Sequence, residues 1–355
     1  MRTLLATGLV LALSIGVSAA PNVVNSAQKG SLLIFPDVDV RNTTNTLIRL
    51  QNDGTSSVDV KCYWTDGNRH RSDFAITLTR NQAAWFEAKS GRGSTNVSPF
   101  PQFASNGYDN PFLGGADANP YRAGQLVCFA VKPGEQHQIK WNHLSGTATV
   151  FDDANGGSAY EYGAYSFFIS NGVDLQPQGT AGAMFLNGID YDACPLYQIG
   201  QLAPEVTVST IGNHQLVFWQ NRLTLVGCTM DLRQDWLPQY TKWVFDVWNA
   251  DEIKFSGAFE CADSWHETVL TDIDSAAQNF TRPVLGTDSA RYRVQGVKST
   301  QCPLSQADGV LAIQSTNLSI NGNDKRTGTN LTSAGRFIGS VLWDPEQAVP
   351  EGGFR

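Results

Sequence analysis

The sequence predicts an all-β protein built as two consecutive, disulfide-stapled β-sandwich domains. Apolar and polar residues alternate with a period of two in many short segments, and no helical periodicity of useful length interrupts them. Turn-forming pairs such as Asp53-Gly54 and Asp66-Gly67 separate these segments. Six cysteines follow an N-terminus that has the pattern of an export signal.

Composition narrows the class of partner. The 355 residues are enough for two domains, each with its own core. Charged residues make up only 16% of the chain, and the formal net charge is −8 without any run of basic residues. An acidic surface repels nucleic acid, so we expect no nucleic-acid partner.

Residues 1–19 are predicted to be a signal peptide. Arg2 supplies the positive charge, Leu4 to Val17 form a short apolar stretch, and cleavage is expected after Ala19. No later segment approaches the length of an apolar membrane span, so we expect no transmembrane segment in the mature chain. The predicted location is the extracellular space or the cell surface, with the periplasm as an alternative.

The even number of cysteines predicts up to three disulfides in an oxidising compartment. No CxxC pair occurs, which argues against a zinc site. Cys62–Cys128 is the preferred first bridge because both residues lie on alternating strands of one domain. Cys194 is expected to tie the connector to the second domain, and the pairing among the last four stays open: Cys194, Cys228, Cys261 and Cys302.

The domain organisation follows from composition. After the signal peptide, we predict a polar lead-in, a β-sandwich domain, a Gly/Gln/Pro-rich connector, a second β-rich domain and a loose tail. The Gly/Pro/Asn-rich stretch within the first domain is interpreted as an irregular loop held by its own aromatic residues. The predicted ranges are 20–29, 30–172 with its loop 90–122, 173–204, 205–345 and 346–355.

The predicted organising element is a hairpin from Trp243 to Glu267. Its first strand alternates Trp243, Phe245 and Val247 with more polar positions, and residues 249–252 form the loop. In the second strand, one buried face is expected to hold Ile253, Phe255, Phe259 and Cys261. Earlier in the chain, after the apolar run Ser31 to Phe35, Pro36 is expected to limit the next strand to a sheet edge or to a new start.

Residues 46–64, TLIRLQNDGTSSVDVKCYW, resemble the paired inner strands of secreted immunoglobulin-like modules. The chain is also similar to secreted bacterial β-sandwich proteins in three segments, LVGCTMDLRQDW, FDVWNADEIKFSGAFECADSWHE and ARYRVQGV. The resemblance implies an immunoglobulin-like first domain and implies no activity. The chain departs from the immunoglobulin pattern because Trp64 follows Cys62 by two positions.

Two short clusters are predicted to bind a ligand. Trp248 lies at the hairpin tip on the polar face and suits stacking on a sugar, with Asp251 and Glu252 beside it. The second cluster is Trp265, His266 and Glu267. No second histidine has metalloprotease spacing after His266, and no G-x-S-x-G elbow exists, so a histidine paired with a neighbouring carboxylate is the alternative interpretation.

Calcium is the one cofactor that the sequence makes worth testing. Asp190 with Asp192 and Asp272 with Asp274 occupy alternate positions, which lets both carboxylates point to one side. Neither pair belongs to a complete calcium-loop motif, and solvated turn carboxylates are the alternative. Otherwise no cofactor is expected.

The predicted function is non-catalytic binding, adhesion or assembly outside the cell, with a glycan or a protein as partner. Self-assembly through an exposed sheet edge is a further alternative. An enzyme is disfavoured but left open, in the form of a carbohydrate-active enzyme that uses an Asp/Glu pair across a cleft.

Overall fold

The computed structural model describes residues 23–94, 110–113, 120–134, 138–154, 158–169, 186, 188, 191–228, 240–273, 278–302 and 309–333. These residues are almost all strand or turn, with 3-10 turns at Pro111–Leu113 and Leu270–Asp272 and one short helix, α1, at Arg282–Leu285. The strands are β1 Leu32–Asp39, β2 Thr44–Asn52, β3 Val58–Asp66, β4 Arg71–Leu78, β5 Gln82–Glu87, β6 Ala123–Val131, β7 Leu144–Asp152, β8 Ser158–Gly163, β9 Tyr165–Phe167, β10 Tyr197–Leu202, β11 Thr207–Ile211, β12 His214–Gly227, β13 Thr241–Asn249, β14 Lys254–Ala262, β15 Trp265–Val269, β16 Ala290–Val297, β17 Val310–Ile320, β18 Asn323–Asn330 and β19 Thr332–Ser333.

These strands form four antiparallel sheets, so the all-β prediction is confirmed. Sheet 1 has the order β4-β3-β6-β1-β9, and sheet 2 has the order β5-β2-β7-β8. Sheet 3 has the order β14-β13-β16-β10-β19, and sheet 4 has the order β11-β12-β17-β18, with β15 added on β12. Sheets 1 and 2 come from the first half of the chain, and sheets 3 and 4 come from the second half.

The four sheets form a propeller-like ring. At the β8–β18 junction of sheets 2 and 4, the Arg326 amide donates to Ser158 Oγ at 2.6 Å, and Asn330 binds the Gly163 backbone. Sheets 3 and 1 meet where Gln198 donates to the Tyr165 hydroxyl at 2.9 Å. The core of sheets 1 and 2 also takes in side chains from sheet 4, namely Val226, Trp265, Leu311 and Ile313.

This arrangement is not clearly a pair of immunoglobulin-like sandwiches. An immunoglobulin domain carries its disulfide between two facing sheets. Here Cys62 and Cys128 lie directly opposite each other on neighbouring strands of one sheet, with Cα atoms 4.1 Å apart. The immunoglobulin-like detail of the prediction is therefore not confirmed.

All six cysteines are paired. The predicted Cys62–Cys128 bridge is confirmed, and Cys194 bonds Cys228 at the end of β12, which confirms that it ties the connector to the second half. The third bridge joins Cys261 on β14 to Cys302. Three disulfides are typical of a protein from an oxidising compartment. Among the described residues, no helix has the length and apolar character needed to cross a membrane.

The predicted hairpin exists as β13 and β14, but the predicted buried face of β14 is wrong. Phe245 pairs with Ala258 and Asp246 pairs with Ser256, so Gly257, with φ of 101°, is an extra residue in the ladder. A bulge of this kind exchanges the two faces of a strand. Beyond it Ala258 is buried, whereas Phe259 is 39% exposed; Ile253, in the loop, is 55% exposed.

A second bulge corrects the prediction for Pro36. Strand β1 continues through Pro36 and lies between β6 and β9, with a register shift between Phe35 and Val38. Proline is tolerated inside a sheet at such a bulge. Side chains satisfy the backbone groups released there, since Pro36 O accepts from Trp265 Nε1 and Tyr162 Oη binds both Asp37 N and Asp37 O.

Other described segments refine the domain predictions. In the 90–122 stretch, Phe112 is fully buried and packs on Trp64, with ring centroids 5.0 Å apart. The predicted polar lead-in contributes Val24 to the core. The predicted signal peptide, half of the 173–204 connector and the 346–355 tail lie outside the described residues.

Candidate functional site

A cleft opens between one end of sheet 3 and the middle of sheet 4, beside the β13–β14 hairpin loop. Its volume is about 570 Å³. Sheet 3 contributes the ends of β10 and β13 and the start of β16, and sheet 4 contributes the middle of β12, β17 and β18. The lining residues are Gln201, Leu202, Ala203, Phe218, Asn221, Asn249, Ala250, Glu252, Ser289, Ala290, Arg291, Gln314, Thr316 and Thr327.

The floor of the cleft is a set of buried amide side chains whose hydrogen bonds hold its walls together. Asn221 donates to Ala203 O at 2.7 Å and accepts from Thr316 Oγ1 at 3.0 Å. Gln314 donates to Gln201 O at 2.7 Å and accepts from the Tyr292 hydroxyl at 2.8 Å. Satisfied buried networks of this kind rigidify the groups around them.

Asn249 organises the hairpin loop at the rim. Its Oδ1 accepts from the backbone amides of Asp251 and Ile253 at 3.0 and 2.9 Å. Its Nδ2 donates at 2.8 Å to Leu285 O, one of the carbonyls left free at the end of α1. This loop conformation requires φ of 64° at Glu252, a left-handed value that is uncommon outside glycine.

Trp248 contacts Arg291, which lines the cleft. The two residues are register partners on β13 and β16, and the guanidinium carbon of Arg291 lies 5.2 Å from the Trp248 ring centroid. The ammonium of Lys254 lies 5.7 Å from the same ring. Both contacts are cation–π geometries, which hold the two cations beside the hairpin tip.

The exposed groups of the cleft are polar and nearly balanced in charge. Gln201, Ser289 and Thr327 offer an amide and two hydroxyls, Arg291 offers a guanidinium, and Glu252 is the one carboxylate of the described lining. Amides and hydroxyls both donate and accept, as sugar hydroxyls do. Glycoside hydrolysis needs two facing carboxylates, so this lining fits binding better than cleavage.

The second predicted cluster lies elsewhere, on β15, and is largely buried. The Trp265 ring packs on Tyr121 and its indole nitrogen is bonded to Pro36 O at 2.8 Å. His266 stacks on Trp243, with centroids 6.0 Å apart, and burial lowers the pKa of its imidazole. Trp265, His266 and Glu267 therefore do not join Trp248, Asp251 and Glu252 in one site.

Glu267 belongs to a chain of ion pairs between the two halves of the molecule. Its two carboxylate oxygens meet Arg41 at 2.7 Å and Arg222 at 2.6 Å, and Arg41 also binds Asp39 through two nitrogens. Burial alone would raise the pKa of Glu267, but the two guanidinium groups hold it below its usual value. A carboxylate held in this way is a poor proton donor.

Asp37, at the β1 bulge, is the most perturbed carboxyl of this region. It is buried, accepts a hydrogen bond from the Tyr160 hydroxyl and has Glu267 as a neighbouring charge. Burial raises the pKa of Asp37 to about 7, and the Glu267 carboxylate adds to the rise. We call Asp37, Asp39, Arg41, Arg222 and Glu267 the junction cluster.

The calcium candidates do not assemble into a site among the described residues. Asp192 is buried; its Oδ2 accepts from Gln28 at 2.6 Å and from the Phe168 amide at 3.1 Å. Asp272 is exposed at the end of a 3-10 turn, and Asp190 and Asp274 lie outside the described residues. No group of three or more possible metal ligands occurs in the part of the chain that the structure describes.

Sequence reasoning missed most of the cleft. Arg291 was visible within the alternating segment ARYRVQGV, but nothing in one sequence shows that it is the register partner of Trp248. The amides Asn221 and Gln314 come from strands about ninety residues apart in the sequence, which join only when β12 pairs with β17. A pattern of amides at inward strand positions was the available signal.

A second groove, of about 490 Å³, lies on sheet 2 on another part of the molecule. Trp85 is 41% exposed there, beside Gln51, Ser145 and Thr147. Its register neighbour Arg49 is paired with Glu161. This groove provides an exposed tryptophan for comparison with Trp248.

No family model matches the sequence, and no curated protein matches it. Among solved structures, the CupB6 tip adhesin from Pseudomonas aeruginosa has 8% identity and a TM-score of 0.12 over 87% of this chain and 93% of that one. A structure of the infectious bursal disease virus Gt strain has 8% identity and a TM-score of 0.12 over 90% and 72%. At these TM-scores neither similarity carries an argument.

Proposed function

We propose that the protein is an exported recognition protein that binds a carbohydrate in the cleft beside the β13–β14 hairpin loop. The observation that carries the proposal is the cleft itself, with its fixed amide floor, its exposed amide and hydroxyl groups and an arginine held on a tryptophan. Ligand sites are concave and have a few oriented polar groups, and this cleft has both properties.

The balance of charge favours a neutral sugar chain over a strongly charged ligand. Glu252 and Arg291 contribute opposite charges to the described lining, and the remaining polar groups are neutral. The partly exposed ring of Phe218 adds an apolar surface for the C–H face of a sugar.

Export is part of the proposal. The predicted signal peptide 1–19 and the three disulfides support an extracellular or cell-surface address. Mass spectrometry of the natively exported chain is expected to find an N-terminus at Ala20. A retained N-terminus beginning at Met1 would contradict export by this signal.

The two-sandwich organisation also remains a proposal. One core lies mainly between sheets 1 and 2 and the other lies between sheets 3 and 4, which supports two sandwich-like units. Under non-reducing conditions, limited proteolysis is expected to cut in the part of the predicted 173–204 connector that precedes β10, before it cuts any strand.

The experiment that tests the binding proposal is a glycan array probed with the mature protein, once with calcium and once with EDTA. Wild type is expected to bind a neutral glycan, and Arg291→Ala and Trp248→Ala are each expected to weaken binding at least tenfold. Binding that is lost in EDTA would add a metal to the proposal.

Trp85→Ala is the matched control, because it removes an equally large and more exposed ring from a different groove. It is expected to leave glycan binding unchanged. If Trp85→Ala abolishes binding while Trp248→Ala does not, the site has been assigned to the wrong groove. An array without any bound glycan would shift the proposal to a protein ligand.

The carbohydrate-active enzyme remains the second candidate. Loss of sugar-cleaving activity on Asp251→Asn or Glu267→Gln would support it. The structure weakens the Glu267 assignment, since both oxygens of that carboxylate are bound by arginines.

A further inference from the structure

The free edges of the sheets differ in how they are protected against pairing with another chain. Edge strands are usually blunted by charges, proline, bulges, short length or a covering segment. Strand β14 has the Gly257 bulge, β4 carries Arg71 and Asp73, and β19 has two residues. Strand β8 lies against β18, and the segment around Asn25 bridges to β9.

Among the residues that the structure describes, strand β11 has none of these features. It is the outer strand of sheet 4, paired on one side with β12 over all five of its residues. From Val206 to Asn213 the sequence VTVSTIGN contains no charge and no proline. Val206, Val208 and Ile211 are 67%, 50% and 64% exposed.

The composition of β11 favours a second copy of itself as partner. Two antiparallel copies related by a two-fold axis with Ser209 opposite Ser209 place Val208 opposite Thr210 and Thr207 opposite Ile211. Glu205 of one copy then faces Asn213 of the other, so the two Glu205 carboxylates stay apart. The chain has a net charge of −8, and this uncharged stretch is where two copies approach with least repulsion.

We propose that β11 is a homodimerisation edge, at which two copies join their sheets 4 into one continuous antiparallel sheet. Backbone hydrogen bonds supply the register, and the exposed valine and isoleucine side chains supply apolar burial. A dimer of this kind carries two hairpin-loop clefts, so a polymeric ligand that reaches both is held by two sites at once.

The test is the mass of the mature, disulfide-intact protein by light scattering after gel filtration, measured over a wide range of concentration. Wild type is expected to pass from monomer to dimer, and added salt is expected not to weaken the dimer, since no ion pair is involved. Val208→Lys is expected to remain monomeric. Phe259→Lys, a matched change of an exposed apolar residue on the bulged edge β14, is expected to dimerise like wild type.

A wild type that stays monomeric at every concentration would overturn the proposal, as would a dimer that survives Val208→Lys. If Val208→Lys fails to fold, Thr210→Lys makes the same test from another exposed position of the strand. The binding of a short glycan in the cleft of one monomer does not require the β11 edge. A monomeric mutant that binds one short oligosaccharide normally therefore separates the two proposals.

Discussion

The hairpin-loop cleft and the junction cluster contain the same kinds of residue and use them in opposite ways. At the cleft, Glu252 stands exposed on a loop whose buried polar groups are already satisfied by Asn249. At the junction, Glu267 is enclosed by two arginines that come from different halves of the chain. A carboxylate near a tryptophan is therefore available to a ligand in one place and committed to holding sheets together in the other.

This difference teaches that burial and partners, rather than residue type, separate a binding site from a structural ion cluster. Both Trp248 and Trp265 are followed within four residues by a carboxylate. Trp265 is 5% exposed and its indole nitrogen is occupied, whereas Trp248 is partly accessible and touches cations that border a cleft. Substitutions at the two places should therefore separate stability from binding.

The largest effect is expected from Glu267→Ala. Removing this carboxylate leaves Arg41 and Arg222 without their shared partner, and breaking a buried pair costs about 3–5 kcal/mol of unfolding free energy. Urea unfolding of the disulfide-intact protein measures the change. At the cleft, Glu252→Ala is the matched control and is expected to change stability by no more than about 0.5 kcal/mol.

Equal losses of stability in the two variants would remove the distinction between the regions. Loss of glycan binding in Glu267→Ala, measured while the protein is still folded, would show that Glu267 belongs to the binding site and is not only a structural ion-pair partner.

The next largest effect is expected in the pH dependence of the stability of Asp37→Asn. The folded-state pKa of Asp37 is about 7, raised from an ordinary value of 3.8. At a pH between these two pKa values, the Asp37 carboxyl is ionised in the unfolded chain and protonated in the folded protein. Its contribution to stability therefore falls as the pH rises. Asparagine does not titrate and can still accept from the Tyr160 hydroxyl.

The expected result is that Asp37→Asn gains stability relative to wild type from pH 4 to pH 8, by on the order of 4 kcal/mol. Thermal unfolding of both proteins across this range measures it. A flat difference for Asp37→Asn would mean that Asp37 is ionised in the folded protein.

Much of the fold could be predicted from period-two alternation and turn residues, because both are local properties of the chain. The strands around Val58–Trp64 and Trp243–Val247 and the Cys62–Cys128 bridge follow from such patterns. The buried face of β14 could not, because one glycine with positive φ exchanges the two faces and alternation carries no mark of a bulge.

The sites were harder to predict because they depend on contacts between distant strands. Asp37 follows Pro36, which predicts an edge strand or the start of a new one, yet the bulge there places the Asp37 carboxyl against Tyr160, more than a hundred residues later. Trp248 was recognisable from its position at a hairpin tip. Its cation partner Arg291 and the amide floor depend on the registers of β13 with β16 and of β12 with β17.

The smallest expected effect concerns the left-handed residue at the cleft rim. Glu252 has φ of 64°, which costs a side chain with a Cβ roughly 1–2 kcal/mol and costs glycine almost nothing. Glycine also loses more freedom on folding, by roughly 0.5–1 kcal/mol. Glu252→Gly is therefore expected to be unchanged or up to about 1 kcal/mol more stable in urea unfolding, and to bind glycan more weakly.

Glu252→Ala keeps the backbone cost and removes the carboxylate, so it separates the two contributions. Weaker binding in both variants, with a gain of stability in the glycine variant alone, would show that the cleft tolerates strain in order to present this carboxylate. A Glu252→Gly protein that is more stable and binds as well as wild type would show that the carboxylate plays no part in recognition, which would leave Arg291 and the neutral groups to carry it.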